Sequence, residues 1–171
     1  QYRHLQAAVS KLDCISKWQG IRVYQSEGEH SSYLIGIRHP IIVVPKHFTS
    51  EFSEQQQALI LAHEANHLKH KDTLWNQVAT LLVILFWFNP IMYLAYRRFR
   101  QQQELACDAS TTRLADEGTR ITYAHTLLST LLKGQQDANK PKVTPSSAQH
   151  LFATSYGLKS QLKDRFTQIA K

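Results

Sequence analysis

Apolar residues recur along this chain at spacings that divide it into a short strand-rich start and a long helical remainder. Leu5, Ala8, Val9, Leu12 and Ile15 fall at helical intervals and Gly20 follows as a stop, which predicts an amphipathic helix over residues 2–17. Three short runs rich in Ile, Val and Tyr come next, at 21–25, 33–37 and 41–44, separated by polar turn residues, and together they predict a small sheet. Pro40 and Pro45 bracket the third run, and proline belongs at sheet edges because it cannot donate to the ladder, so Ile41, Ile42, Val43 and Val44 are expected to form an edge strand.

Ser53 and Gln56 form a capping-box pair, and nothing breaks a helix from there to about Lys71. Residues 73 to 96 then carry no charge at all, interrupted only by Asn89-Pro90, where a second helix is expected to start because Asn caps well and proline suits the first turn. Ile121, Ala124, Leu128 and Leu131 mark another helical face over 120–133, closed by Gly134, and Leu158, Leu162, Phe166 and Ile169 mark a last one. The expected organisation is a single domain of α+β class, mostly helical, with a small N-terminal sheet packed on the helix that follows it. Residues 1–52 supply a helix and the sheet, 53–133 the central helices with an apolar hairpin over 73–100, 135–149 a linker or mobile loop, and 150–171 a C-terminal helix.

Composition narrows the class. At 171 residues, 43% hydrophobic and 19% charged, the chain is long enough for a core and too apolar for a disordered tail. Cys14 and Cys107 are its only cysteines, which supports neither a disulfide framework nor a cysteine-based zinc site. The net charge of +7 admits an anionic partner, but the basic residues are dispersed and show no aromatic interleaving or recognition-helix pattern, so nucleic acid is not expected. The first residue is not Met and the opening residues carry no signal-peptide hydrophobic run, which suggests a processed chain or, as the favoured expectation, a piece excised from a longer protein.

The chemistry lies in His63-Glu64-Ala65-Asn66-His67. Histidines four apart on a helix project from adjacent turns of one face, close enough to share a metal, and the intervening glutamate lies beside the water that the metal activates. Ala58, Leu61, Ala62, Ala65 and Leu68 cluster nearly opposite His63 and His67 at 100° per residue, so the core face and the metal face are expected to be separate. A catalytic zinc needs a third protein ligand, and Glu104 in Glu104-Leu105-Ala106-Cys107-Asp108 offers one, with Asp108 a turn later to hold a ligating histidine from behind. One continuous helix would separate Glu104 from His67 by roughly 55 Å. The chain must therefore turn back, and Asn89-Pro90 is the turn signal available. With Lys69 and Lys71 before the apolar stretch and Arg97, Arg98 and Arg100 after it, residues 73–96 read as a helical hairpin tipped by Trp87 and Phe88, either an ordinary core hairpin or one dipping into a bilayer surface.

These residues resemble a known family. His63-Glu64-x-x-His67 with Asp72, then Phe86-Trp87-Phe88-Asn89-Pro90, then Glu104 to Ala109, is similar to the gluzincin domain of the BlaR/MecR-type bacterial membrane metallopeptidases. The segment Gly36 to Pro45 resembles the strand that precedes the active-site helix in that family, and the likeness extends more weakly to Lys163-Asp164-Arg165-Phe166. His70 departs from the pattern, standing where many members carry arginine. The resemblance implies a zincin-like peptidase fold holding one Zn(2+) per chain, with His63, His67 and Glu104 as ligands, Glu64 as general base and Asp108 behind the ligands. It further implies a regulatory protease of the antibiotic-resistance signalling type at the bacterial inner membrane, its catalytic domain facing the cytoplasm. The substrate would be a protein or peptide, such as a repressor or the protease's own chain. A strand near Ile41 to Val44 would hold it by strand addition. A different class of function is a zinc-containing scaffold of weak activity that binds a regulatory partner without cutting it. Tyr123, His125, His150 and Tyr156 are the candidates for an additional donor to the reacting carbonyl, each more often a packed or surface residue, and Cys107 is expected to be a buried small hydrophobe.

Overall fold

A computed structural model describes residues 13–26, 31–138 and 155–169. The chain divides into two compact units, Gln1–Gln77 and Val78–Lys171. The class is α+β and mostly helical, as the hydrophobic pattern predicts.

The first unit is built on a four-stranded sheet of β1 (Asp13–Trp18), β2 (Ile21–Ser26), β3 (Tyr33–Ile35) and β4 (Ile41–Pro45), in the order β1-β2-β4-β3. β1 pairs antiparallel with β2 across the two-residue turn Gln19-Gly20, both at positive φ (47° and 86°), the backbone a tight hairpin requires. Residues 13–17 are therefore strand where a helix was expected. Six residues carry too little periodicity to separate the two, and Gly20 closes a hairpin rather than a helix. The other residues of the expected first helix, with Leu5, Ala8, Val9 and Leu12, lie outside the described residues.

β4 is an interior strand, which corrects the expected edge at Ile41 to Val44. It runs parallel to β2 on one side (Val23 opposite Ile42, Tyr24 opposite Val43) and antiparallel to β3 on the other (Leu34 opposite Ile42, Tyr33 opposite Val43). Ile42, Val43 and Val44 are fully buried. The prolines mark the two ends of the strand, where no ladder donor is needed, and the run of four apolar residues reflects burial of both faces. β3 ends two residues before the predicted limit because Gly36 turns the chain at φ 93°.

After β4 come a single helical turn α1 (Phe48–Glu51), which no sequence signal marked, and α2 (Glu54–Lys69). The capping box forms as expected: the Ser53 hydroxyl accepts from the Gln56 backbone N–H, and the Gln56 side chain accepts from the Ser53 N–H. Ile60, Leu61 and Ala65 of α2 pack with Phe48 and Phe52 against Ile21, Val23, Ile42 and Val44, with Trp18, Leu34 and Leu68 closing the margin. Each large side chain so buried contributes about 1.5–3 kcal/mol. The opposite sheet face gathers Tyr24, Ile41 and Val43 with Tyr33 and Ile35.

Lys71, at φ 57°, ends the α2 region, and α3 (Asp72–Leu85) begins at once, running across the division between the units. The second unit adds α4 (Pro90–Thr112), α5 (Glu117–Ala138) and α6 (Ser155–Ile169). The apolar stretch breaks at the expected place. Asn89 caps α4 by accepting from the Ile91 N–H, and Pro90 occupies the first turn. α5 continues through Gly134 to residue 138, because one glycine weakens a helix interior by only about 1 kcal/mol and need not stop it. The rest of the expected 135–149 linker lies outside the described residues. Among the described residues no helix is long and apolar enough to cross a membrane.

Gly36 gives the fold its most direct test. A Cβ there would lie 2.7 Å from the His39 carbonyl oxygen, at a φ that other residues rarely adopt. Gly36→Ala is expected to lower the unfolding free energy by about 1–3 kcal/mol in urea titration. Gly20→Ala, where the same Cβ meets nothing within 4 Å, should cost less.

Candidate metal centre

In the first unit, α2 carries His63, Glu64 and His67, the first two buried and the third half-buried. Their imidazoles meet edge to face, ring centroids 4.9 Å apart and planes at 88°, so the two histidines face one small volume. The helix is turned so that Ile60 joins Leu61, Ala65 and Leu68 on the sheet, while Ala58 and Ala62 are only half-buried. At 100° per residue this places the histidines about 120° round from the centre of the packed face, on its flank rather than opposite it. Glu64 falls between Ile60 and Leu68 round the helix, within the packed face, which accounts for its burial.

Asp72, whose role the sequence leaves open, is the carboxylate behind His67. Its Oδ2 lies 2.6 Å from His67 Nδ1. The turn that makes this contact is local: α2 ends at Lys69, Lys71 takes a left-handed conformation, and the first residue of α3 is returned toward the helix just completed. An aspartate accepting from Nδ1 fixes the ring's tautomer and orientation and directs Nε2 to act as a metal ligand. The donor set therefore fits a metal that prefers nitrogen and oxygen. Two imidazoles share one face, one of them is braced by a carboxylate, and a buried glutamate follows the first of them in the chain.

In the second unit, Glu104 and Asp108 stand one turn apart on α4. Asp108, expected behind a ligating histidine, carries other partners: the Tyr123 hydroxyl of α5 donates to its Oδ1 at 2.7 Å, and Arg165 of α6 donates from Nε to Oδ2 at 2.6 Å and from an Nη to Oδ1 at 2.7 Å. Arg165 also lies 3.3 Å from Glu104 Oε2, and Gln101 donates to Asp164 at 2.5 Å. Gln101, Glu104 and Asp108 thus line the face of α4 that meets α6. Burial pushes the Tyr123 hydroxyl well above its ordinary range, and the adjacent Asp108 charge adds to this, so Tyr123 stays a neutral donor. Burial alone would weaken the Arg165 charge, but hydrogen bonding to Asp108 and the charges of Asp108 and Glu104 outweigh it.

Among the candidates for a further donor, Tyr123 is thus committed to Asp108 and His125 is exposed. His150 and the side chain of Tyr156 lie outside the described residues. Cys107 is fully buried, as a small hydrophobe would be. Arg165 is the residue that spacing missed, although one signal marks it: a charge at the position between Leu162 and Phe166, on the apolar face of the last helix. Removing one partner from a buried charge pair leaves the other uncompensated, so Arg165→Met should lower the unfolding free energy by about 3–5 kcal/mol, measured by denaturant titration. Tyr123→Phe, which deletes one hydrogen bond to a charged group, should cost about 1.5–3 kcal/mol.

Comparison with known proteins identifies the family. A family model described as BlaR1 peptidase M56 matches residues 1–167. The regulatory protein BlaR1 of Bacillus licheniformis is 32% identical over 98 residues, covering 57% of this chain and 16% of that protein. The methicillin resistance mecR1 protein of Staphylococcus aureus is 26% identical over 162 residues, covering 92% of this chain and 26% of that protein. The chain thus spans about a quarter or less of the length of these relatives. A match over nearly all of its residues places the chain in the BlaR1-type M56 peptidase family.

Proposed function

We propose that this chain is the catalytic domain of a zinc-dependent endopeptidase in a regulatory, signal-transducing protein of the bacterial inner membrane, facing the cytoplasm. The observation that carries the proposal is the paired face of His63 and His67, with His67 Nδ1 held by Asp72 and the buried Glu64 following His63 in the chain. Family membership supports a peptidase. The two histidines would hold one Zn(2+) together with Glu104. Such an ion, when bound, polarises a peptide carbonyl and lowers the pKa of a water toward about 7.

The chain's own residues supply the rest. Glu64 takes the proton of the attacking water, as a general base, and delivers it to the departing amine, as a general acid. Asp72 keeps the His67 ring in one orientation throughout, so the ligand set does not reorganise during the reaction. Arg165, beside Glu104 Oε2, restrains that carboxylate from the second unit's own packing. β3 is an edge of the sheet and packs beside α2, so Tyr33 to Ile35 are the backbone best placed to hold an extended substrate. The substrate is a protein or peptide, with a repressor or the enzyme's own chain as the natural classes for a regulatory protease.

The purified chain should contain one equivalent of zinc. Glu64→Gln should keep that zinc and lose about 100-fold or more of its rate on a peptide library, whereas His63→Ala should lose the metal. Zinc retained with equal cleavage by the wild type and Glu64→Gln would favour the scaffold, and no metal in either would reject both zinc readings. Asp72→Ala should weaken zinc binding by about 10–100-fold in competition with a chelator, with little change in thermal unfolding of the metal-free chain.

A further inference from the structure

The second unit presents an apolar surface that its own packing does not cover. The C-terminal half of α4 is occupied, its Gln101, Glu104 and Asp108 facing α6. The preceding half is bare. Leu81, Ile84 and Leu85 of α3, Trp87 and Phe88 of the turn, and Ile91 at the start of α4 are 63–70% exposed. Large contiguous apolar surface on a protein exterior marks an interaction site.

We infer that the turn between α3 and α4 inserts into one leaflet of a lipid bilayer. Three observations select lipid as the occupant. First, several polar groups of the turn are paired within it, which lowers the cost of insertion into hydrocarbon: the Phe86 N–H donates to Leu82, the Asn89 N–H to Phe86, the Met92 N–H to Asn89, the Ile91 N–H to the Asn89 side chain, and the Tyr93 hydroxyl to the Trp87 carbonyl. Second, no charge occurs from residue 73 to residue 96, and basic residues follow, with Arg97 and Arg98 exposed on α4. Arg97 lies eight residues after Asn89, about 12 Å along the helix, close to the ~15 Å hydrocarbon depth of a single leaflet. Basic side chains at that distance reach anionic headgroups when the turn is inserted. Third, Tyr96 stands between the apolar tip and the arginines, next to the level where amphipathic aromatic rings collect in membranes. The 14-residue α3 is too short to span, so the surface enters one leaflet and does not cross.

The inference does not depend on zinc or on catalysis, and vesicle binding by the 171-residue chain tests it. With phosphatidylcholine vesicles containing phosphatidylglycerol, the chain should co-sediment, and brominated acyl chains should quench a fluorescence component that Trp87→Phe removes. The exposed-site double variant Leu85→Glu/Phe88→Glu should keep its circular dichroism and bind at least about tenfold more weakly. Arg97→Glu/Arg98→Glu should weaken binding only when phosphatidylglycerol is present. Vesicle binding that is absent, or equal in the double glutamate variant, would overturn the inference. So would a self-associated chain that the glutamate variant dissociates with no binding to vesicles, since the surface would then be a contact between copies.

Discussion

The packing of Ile60, Leu61 and Ala65 against Val23, Ile42 and Val44 fixes how far α2 is rotated about its own axis, and the chemistry of the first unit depends on that rotation. A helix can present two histidines four residues apart only on one flank, and a turn of a few tens of degrees would move them into the sheet or into solvent. Burial of β4 on both faces gives the helix a rigid bed. The capping box at Ser53 fixes where the helix begins, and the left-handed Lys71 fixes where it stops. Asp72 can reach His67 only because that stop is abrupt. Core packing, helix termination and the bracing of His67 are in this sense one arrangement.

The second unit solves a different problem, that of keeping carboxylates inside a helical bundle. Asp108 is fully buried and compensated by Arg165 and Tyr123, while Glu104 shares the same arginine. Such a network adds less stability than an apolar core would, since desolvation offsets most of the attraction. What it provides is one defined arrangement of α4, α5 and α6, with Glu104 oriented. The same helix α4 is apolar and bare at its other end. One element thereby joins a polar half packed against α6 to an apolar, exposed half.

Much of this was legible in the residues, because the relevant signals are local. The capping pair and the Asn89-Pro90 break each act within a turn or two of helix and stand where they were read, and the two histidines share one face as their spacing requires, although on the flank of the packed face. What could not be read was set by long-range pairing. β4 looks like an edge from its flanking prolines, but its neighbours are decided by β2 and β3, and no spacing within residues 41–45 reports them. Residues 13–17 are strand because β2 pairs with them, although their apolar positions also satisfy a helical period. Arg165 meets Asp108 across 57 positions of sequence, so its importance is visible only as a charge placed on an apolar face.

X-ray absorption at the zinc edge of the metal-loaded chain tests the central claim most directly. The account predicts a first shell of nitrogen and oxygen alone, at about 2.0–2.2 Å, with the multiple scattering of two imidazoles that falls to one in His63→Ala. A sulfur scatterer at about 2.3 Å, which would bring Cys107 or Cys14 into the ligand set, or an imidazole signal that His63→Ala leaves unchanged, would contradict it.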